Sequence, residues 1–153
     1  MMIGFSKLTS SQDLFAKQRW EHQRLETDPS NAFHGFNFFV AAWHLLEWTY
    51  PDSPERRRQL KKENVILQVC EHLAVGAKQF EPKDERHRSV LGSHSTDAWG
   101  GAWGISWSNV WGSRMIIKLA GEVAETFGSA IDCLELATHA FEFWKQQFEN
   151  RQA

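Results

Sequence analysis

The segment Ala32–Trp48 limits the possible folds more than any other part of the chain. It carries Phe33, Phe36, Phe38, Phe39, Val40, Trp43, Leu45, Leu46 and Trp48. As a helix it is apolar around most of its circumference, which predicts a position at the centre of a helical assembly. Asp28-Pro29-Ser30 precedes it and marks the end of an earlier helix, because proline biases the residue before it away from helical geometry. Within the apolar segment, His34, Asn37, His44 and Glu47 fall in a sector of about 140° at about 100° per residue. A polar stripe on so apolar a helix is a candidate site.

The flanking sequence supplies further helices. Residues 10–27 read as one, with Thr9, Ser10 or Ser11 as N-cap and Asp13 in the first turn. Residues 64–80 place Val65, Ile66, Val69, Leu73 and Phe80 on one face, and the last helix spans about 129–149. Residues 92–113 break the pattern, with five Gly, five Ser and four Trp. Trp99, Trp103, Trp107 and Trp111 recur every four residues. The glycines disfavour a helix by about 1 kcal/mol each, and in an extended chain this interval keeps the rings on one face. The segment reads as a hairpin turning near Ser108-Asn109 and running into 114–119. The expected fold is therefore α+β and mainly α. It is one domain over residues 1–153, a bundle of about four helices with a small Trp- and Gly-rich β-hairpin before the last.

Composition narrows the function classes. Seventeen basic residues face nineteen acidic ones, a formal charge of -2, so no global positive field recruits nucleic acid or anionic membrane. The longest apolar run, Phe38–Trp43, is far short of the roughly 18 residues of a membrane-spanning helix. Cys70 and Cys133 lack metal-type spacing and read as reduced thiols of a cytoplasmic protein. No phosphate-binding or dinucleotide-binding glycine loop occurs, and no Gly-x-Ser-x-Gly elbow. No cofactor or metal is expected.

Asn37-Phe38-Phe39-Val40-Ala41-Ala42-Trp43-His44-Leu45-Leu46-Glu47-Trp48 and Cys70-Glu71-His72-Leu73-Ala74-Val75-Gly76-Ala77-Lys78-Gln79-Phe80 resemble a loose group of uncharacterised small bacterial and phage-associated proteins. Those pair an aromatic-Trp-His-Leu-x-acidic-Trp helix with a second helix ending near Ala-Lys-His-Phe; Gln79 stands here where the group carries His. The resemblance implies a shared helical fold and brings no assigned reaction.

Several residue sets invite a chemical reading. His44 and Glu47 lie one turn apart, and a carboxylate beside an imidazole favours its charged form and orients the ring, as a general base requires. The alternative is a polar pair that fixes helix register. Arg88 and His94 match the Arg-x4–6-His spacing of HEPN-type ribonucleases, although a chain of this composition produces about one such match by chance. Asp132, Glu135, His139 and Glu142 share a face of the last helix, which lies away from its apolar side and reads as solvated. Arg56, Arg57, Arg58, Lys61 and Lys62 form a basic run that reads as a solvated helix face. The Trp ladder suits core packing, an oligomer interface or a platform for flat ligands.

These features favour a binding or interaction module, with a small-molecule or protein partner and self-association into a homo-oligomer. The surface would be an interhelical cleft or the Trp-rich hairpin, with His34, Asn37, Trp103 and Trp107 as ligand contacts. The alternative is a small hydrolase of RNA or nucleotides, with His44 and Glu47 or Arg88 and His94 as acid-base groups.

Overall fold

A computed structural model describes residues 7–79, 90–95 and 115–152. In chain order the elements are α1 (Ser11–Thr27), α2 (Ala32–Thr49), α3 (Pro54–Glu63), α4 (Val65–Gln79), β1 (Val90–Ser95), β2 (Met115–Leu119), α5 (Gly121–Phe127), β3 (Ala130–Asp132) and α6 (Cys133–Gln152). The fold is mainly helical with a small antiparallel sheet before the last helix, the α+β class expected from the sequence.

Local chemistry sets the helix ends. The Asp13 backbone N–H donates to Ser10 Oγ at 3.2 Å, and Asp13 Oδ2 accepts the Ser10 N–H at 3.0 Å, a capping box that starts α1. The Thr9 N–H and the Ser10 hydroxyl, which also donate to Asp13, hold its carboxyl below the ordinary range. Asn31 Oδ1 accepts from the N–H groups of Phe33 at 3.0 Å and His34 at 3.4 Å and starts α2. Beyond the other end of α2, Arg57 Nη1 donates to the carbonyls of Tyr50 at 2.6 Å and Pro51 at 2.8 Å. The basic run thus lies on α3, where Arg58 also pairs with Glu55 and Lys61 with Glu71, both at 2.8 Å.

The sheet has the order β1-β2-β3 with both pairings antiparallel. Met115, Ile117 and Leu119 of β2 point inward, the alternation of a half-buried strand. Ser95 stands opposite Met115 at one end of the β1–β2 ladder and Val90 opposite Leu119 at the other. The hairpin turn expected near Ser108-Asn109 lies outside the described residues. The sequence reading missed two elements. Residues 130–132 join β2 as its third strand, with Ile131 opposite Ile117, rather than opening the last helix. Gly121 and Gly128, with φ of 63° and 90°, bracket the short α5.

The core lies where α2 packs on α1, α4 and α6. Phe38, Leu25, Leu45, Leu46, Leu67, Leu136 and Trp144 are fully buried there. Gly35 lets α2 come close to the sheet: a Cβ at this position would stand 2.8 Å from Met115 Cε and 3.3 Å from Cys133 Sγ. Cys70 and Cys133 are free and buried, and burial pushes both thiols up to about 12. Among the described residues no helix is long and apolar enough to cross a membrane.

Candidate interaction surface on the second helix

The sequence places α2 at the centre of the domain, buried over most of its circumference. It is central, but only one side is enclosed. Gly35, Phe38, Phe39, Ala42, Leu45, Leu46 and Thr49 face the neighbouring helices and sheet. The opposite side meets water. Phe33 is 72% exposed, Phe36 49% and Trp48 39%, and Asn37, His44 and Glu47 are exposed on the same side. The polar stripe therefore has aromatic neighbours: Phe33 and Val40 fall within the same angular sector. A soluble protein rarely collects large apolar side chains on one exposed face without a use for them.

His44 and Glu47 do meet, with Nδ1 3.2 Å from Oε2. Both side chains are about half exposed, at 48% and 52%. The pair was expected on a buried helix; instead it stands on the outer surface, because α1, α4 and α6 cover the other side. An exposed pair of this kind contributes about 0 to 1 kcal/mol to stability. With Asn37 it makes up the polar part of a face that also carries Phe33, Phe36 and Trp48.

His34 lies at the edge of that face, where α2 meets α1. Its Nδ1 stands 3.6 Å from Oε2 of Glu21, whose side chain is 2% exposed, and Lys17 Nζ holds the other carboxylate oxygen at 2.8 Å. Beside these on α1, Gln18 is completely buried, and neither its amide nitrogen nor its carbonyl oxygen has a hydrogen-bond partner. Sequence reasoning missed Gln18 and Glu21. The signal was present: Leu14, Gln18, Glu21 and Leu25 recur at helical spacing, so the inward stripe of α1 has polar residues in its middle.

The next turn of α1 carries His22. Its ring stacks on Phe141 with centroids 4.9 Å apart. The Thr138 hydroxyl donates to the Leu134 carbonyl at 2.8 Å and lies 2.9 Å from His22 Nε2, while His22 Nδ1 stands 2.9 Å from Glu26 Oε1. Burial pushes the imidazole below its ordinary value, against the opposing pull of Glu26 and Glu142.

The remaining sequence candidates are not assembled into a site. Trp103, Trp107 and Arg88 lie outside the described residues. His94 is on β1, in register with Ile116. Asp132 Oδ1 caps α6, accepting from the N–H groups of Leu134 at 2.9 Å and Glu135 at 3.2 Å. Glu135, His139 and Glu142 are exposed, and the His139 ring packs 5.3 Å from that of Phe127. Among the described residues no group of three or more His, Cys, Asp or Glu is placed to hold a metal ion.

Most tryptophans of the described helices lie outside the core. Trp20 is 49% exposed under the Arg24 guanidinium, Trp48 is partly exposed, and Trp43 is half covered by Lys61, with Nζ 5.5 Å from the ring. Trp144 alone of the helical tryptophans is fully buried. Neither a protein-family model, nor a curated protein, nor a solved structure matches the chain.

Proposed function

We propose that the protein is an interaction module that docks a helix of a protein partner along the outward face of α2. The exposure of Phe33 and Phe36 on one face of a capped, well-packed helix carries this reading. Rigid aromatic side chains on a fixed backbone bind at little entropic cost, because the scaffold already holds them. Asn37, His44 and Glu47 supply a polar border, the usual anatomy of such a surface. The two buried free thiols suit a reducing, cytoplasmic setting. The hydrolase alternative has less support, since His44 and Glu47 stand on open surface with no second catalytic group beside them on the described helices.

The test is selection of amphipathic helical peptides from a displayed library against the whole protein. Binders should lose affinity by about tenfold or more for the double variant Phe33→Ser, Phe36→Ser, as for residues at the centre of an interface. Circular dichroism checks that the variant remains folded. Peptides that ignore the double substitution, or a library that yields none, would overturn the reading.

A further inference from the structure

His34, at the border of the outward face of α2, has one ring nitrogen turned inward and held against a charge. Its Nδ1 is buried and has no hydrogen-bond partner. Facing it at 3.6 Å is Glu21 Oε2, also buried and also without one. That distance exceeds a hydrogen bond, yet the carboxylate still discriminates between the two neutral states of the ring. A carboxylate oxygen only accepts, and a neutral imidazole carries one N–H and one lone pair. An N–H at Nδ1 is attracted to Oε2, whereas a lone pair there is repelled. Burial sharpens the difference, because little water screens it.

The carboxylate is itself held. Lys17 and Glu21 lie four residues apart on α1, so they share a face. Lys17 Nζ meets Oε1 at 2.8 Å and supplies the counter-charge that a buried carboxylate needs. Oε2 is left turned towards His34. The His34 side chain is 24% exposed, and with Nδ1 buried that exposure falls on the remainder of the side chain, where Nε2 is the other polar atom.

Resting on the reading of this face as a docking surface, we infer that Glu21 is a positioning residue that keeps the His34 proton on Nδ1, so that Nε2 meets the partner helix as a hydrogen-bond acceptor. The group this acceptor fits is a serine or threonine hydroxyl on the flank of the docked helix. A carboxylate there would meet the lone pair, and the Lys17 ammonium disfavours a second cation nearby. A hydroxyl donates without adding charge. The apolar side chains of the face supply area, while an acceptor at its border fixes the partner's register, since a partner that leaves it unpaired loses affinity.

Glu21→Gln should reverse the arrangement. Lys17 can only donate, so it retains the carbonyl oxygen of the substituted side chain and leaves the amide nitrogen facing His34. A donor in that place draws the lone pair to Nδ1 and moves the proton to Nε2.

Imidazole nitrogen NMR at about pH 8, above the ordinary histidine range, reads the ring directly, with His34 assigned as the signal missing from His34→Gln. The proton should sit on Nδ1 in the wild type and on Nε2 in Glu21→Gln, with circular dichroism confirming that both are folded. A wild-type ring with its proton on Nε2 overturns the inference. Helical peptides selected on the whole protein are then scanned with serine and O-methylserine, which keeps the oxygen and loses its proton. At one flank position serine should bind the wild type about three- to tenfold more tightly than O-methylserine, and Glu21→Gln should bind both alike. Indifference of the wild type at every flank position overturns the inference, as does a preference that Glu21→Gln leaves intact. Peptides that do not need Phe33 and Phe36 remove the docking face, and the role of Nε2 with it. Peptides that need both but ignore the hydroxyl overturn the role of His34 alone and leave α2 a docking face.

Discussion

Gln18 provides the sharpest test of the energetics. Its side chain is fully buried in α1, with both the amide nitrogen and the carbonyl oxygen unpartnered. Leaving a buried polar group unsatisfied costs about 1–3 kcal/mol, whereas an apolar group of the same shape avoids the cost. Methionine is that group. It matches glutamine in length and branching, gives up a similar side-chain entropy, and has nearly the same helix propensity. Gln18→Met should therefore stabilise the fold by about 1–3 kcal/mol. For a chain of this length that raises Tm by about 3–10 °C. Urea unfolding followed by circular dichroism gives the value directly, as a higher midpoint with an unchanged slope. A loss of about 1 kcal/mol or more would refute the reasoning, because it would mean that the amide makes favourable polar contacts in the folded protein.

Two further expectations follow from burial. His22 has a folded-state pKa below its unfolded value, so the unfolded chain binds more protons once the pH drops below about 6.5. Its contribution to stability is complete above that pH and is lost as the pH falls towards the lower, folded-state value. Urea midpoints measured between about pH 7 and 5 should fall more steeply for wild type than for His22→Gln; parallel curves would contradict the assignment. Asp13 acts in a separate, more acidic window, below the ordinary carboxylate range. The thiols of Cys70 and Cys133, pushed up to about 12 by burial, should both resist an aromatic disulfide reagent at neutral pH and both react in denaturant. Rapid labelling of either in the native protein would show that it is not sealed.

Much of the helical framework is written locally. Ser10 and Asp13, Pro29 and Asn31 are chemical start and stop signals, and the α1 and α2 boundaries follow them closely. Elements that depend on distant partners are not written this way. Ala130–Asp132 suits the first turn of a helix as well as a strand, and pairing with β2 decides the matter. The α2 face shows the same limit. An apolar circumference shows that a helix gains from being covered, but not how many neighbours the rest of the chain can supply. Three helices cover one side, and Phe33, Phe36 and Trp48 on the other are exposed. At the boundary with α1, the inward positions of Gln18 and Glu21 follow from spacing alone, but the approach of His34 to Glu21 depends on how the two helices pack.

The ladder between β1 and β2 has a topological consequence. Ser95 and Met115 face each other across a single rung, so pairing β1 with β2 closes the chain between positions 95 and 115. The entropic cost of such a closure rises only with the logarithm of the interval, so the ladder tolerates a wide separation in sequence between its two strands. Its anchor is β2, which buries Met115, Ile117 and Leu119 and pairs with β3 on its other edge. In evolutionary terms β2 is the strand with the least freedom to drift, because each of its residues answers to the core or to a neighbour on either side.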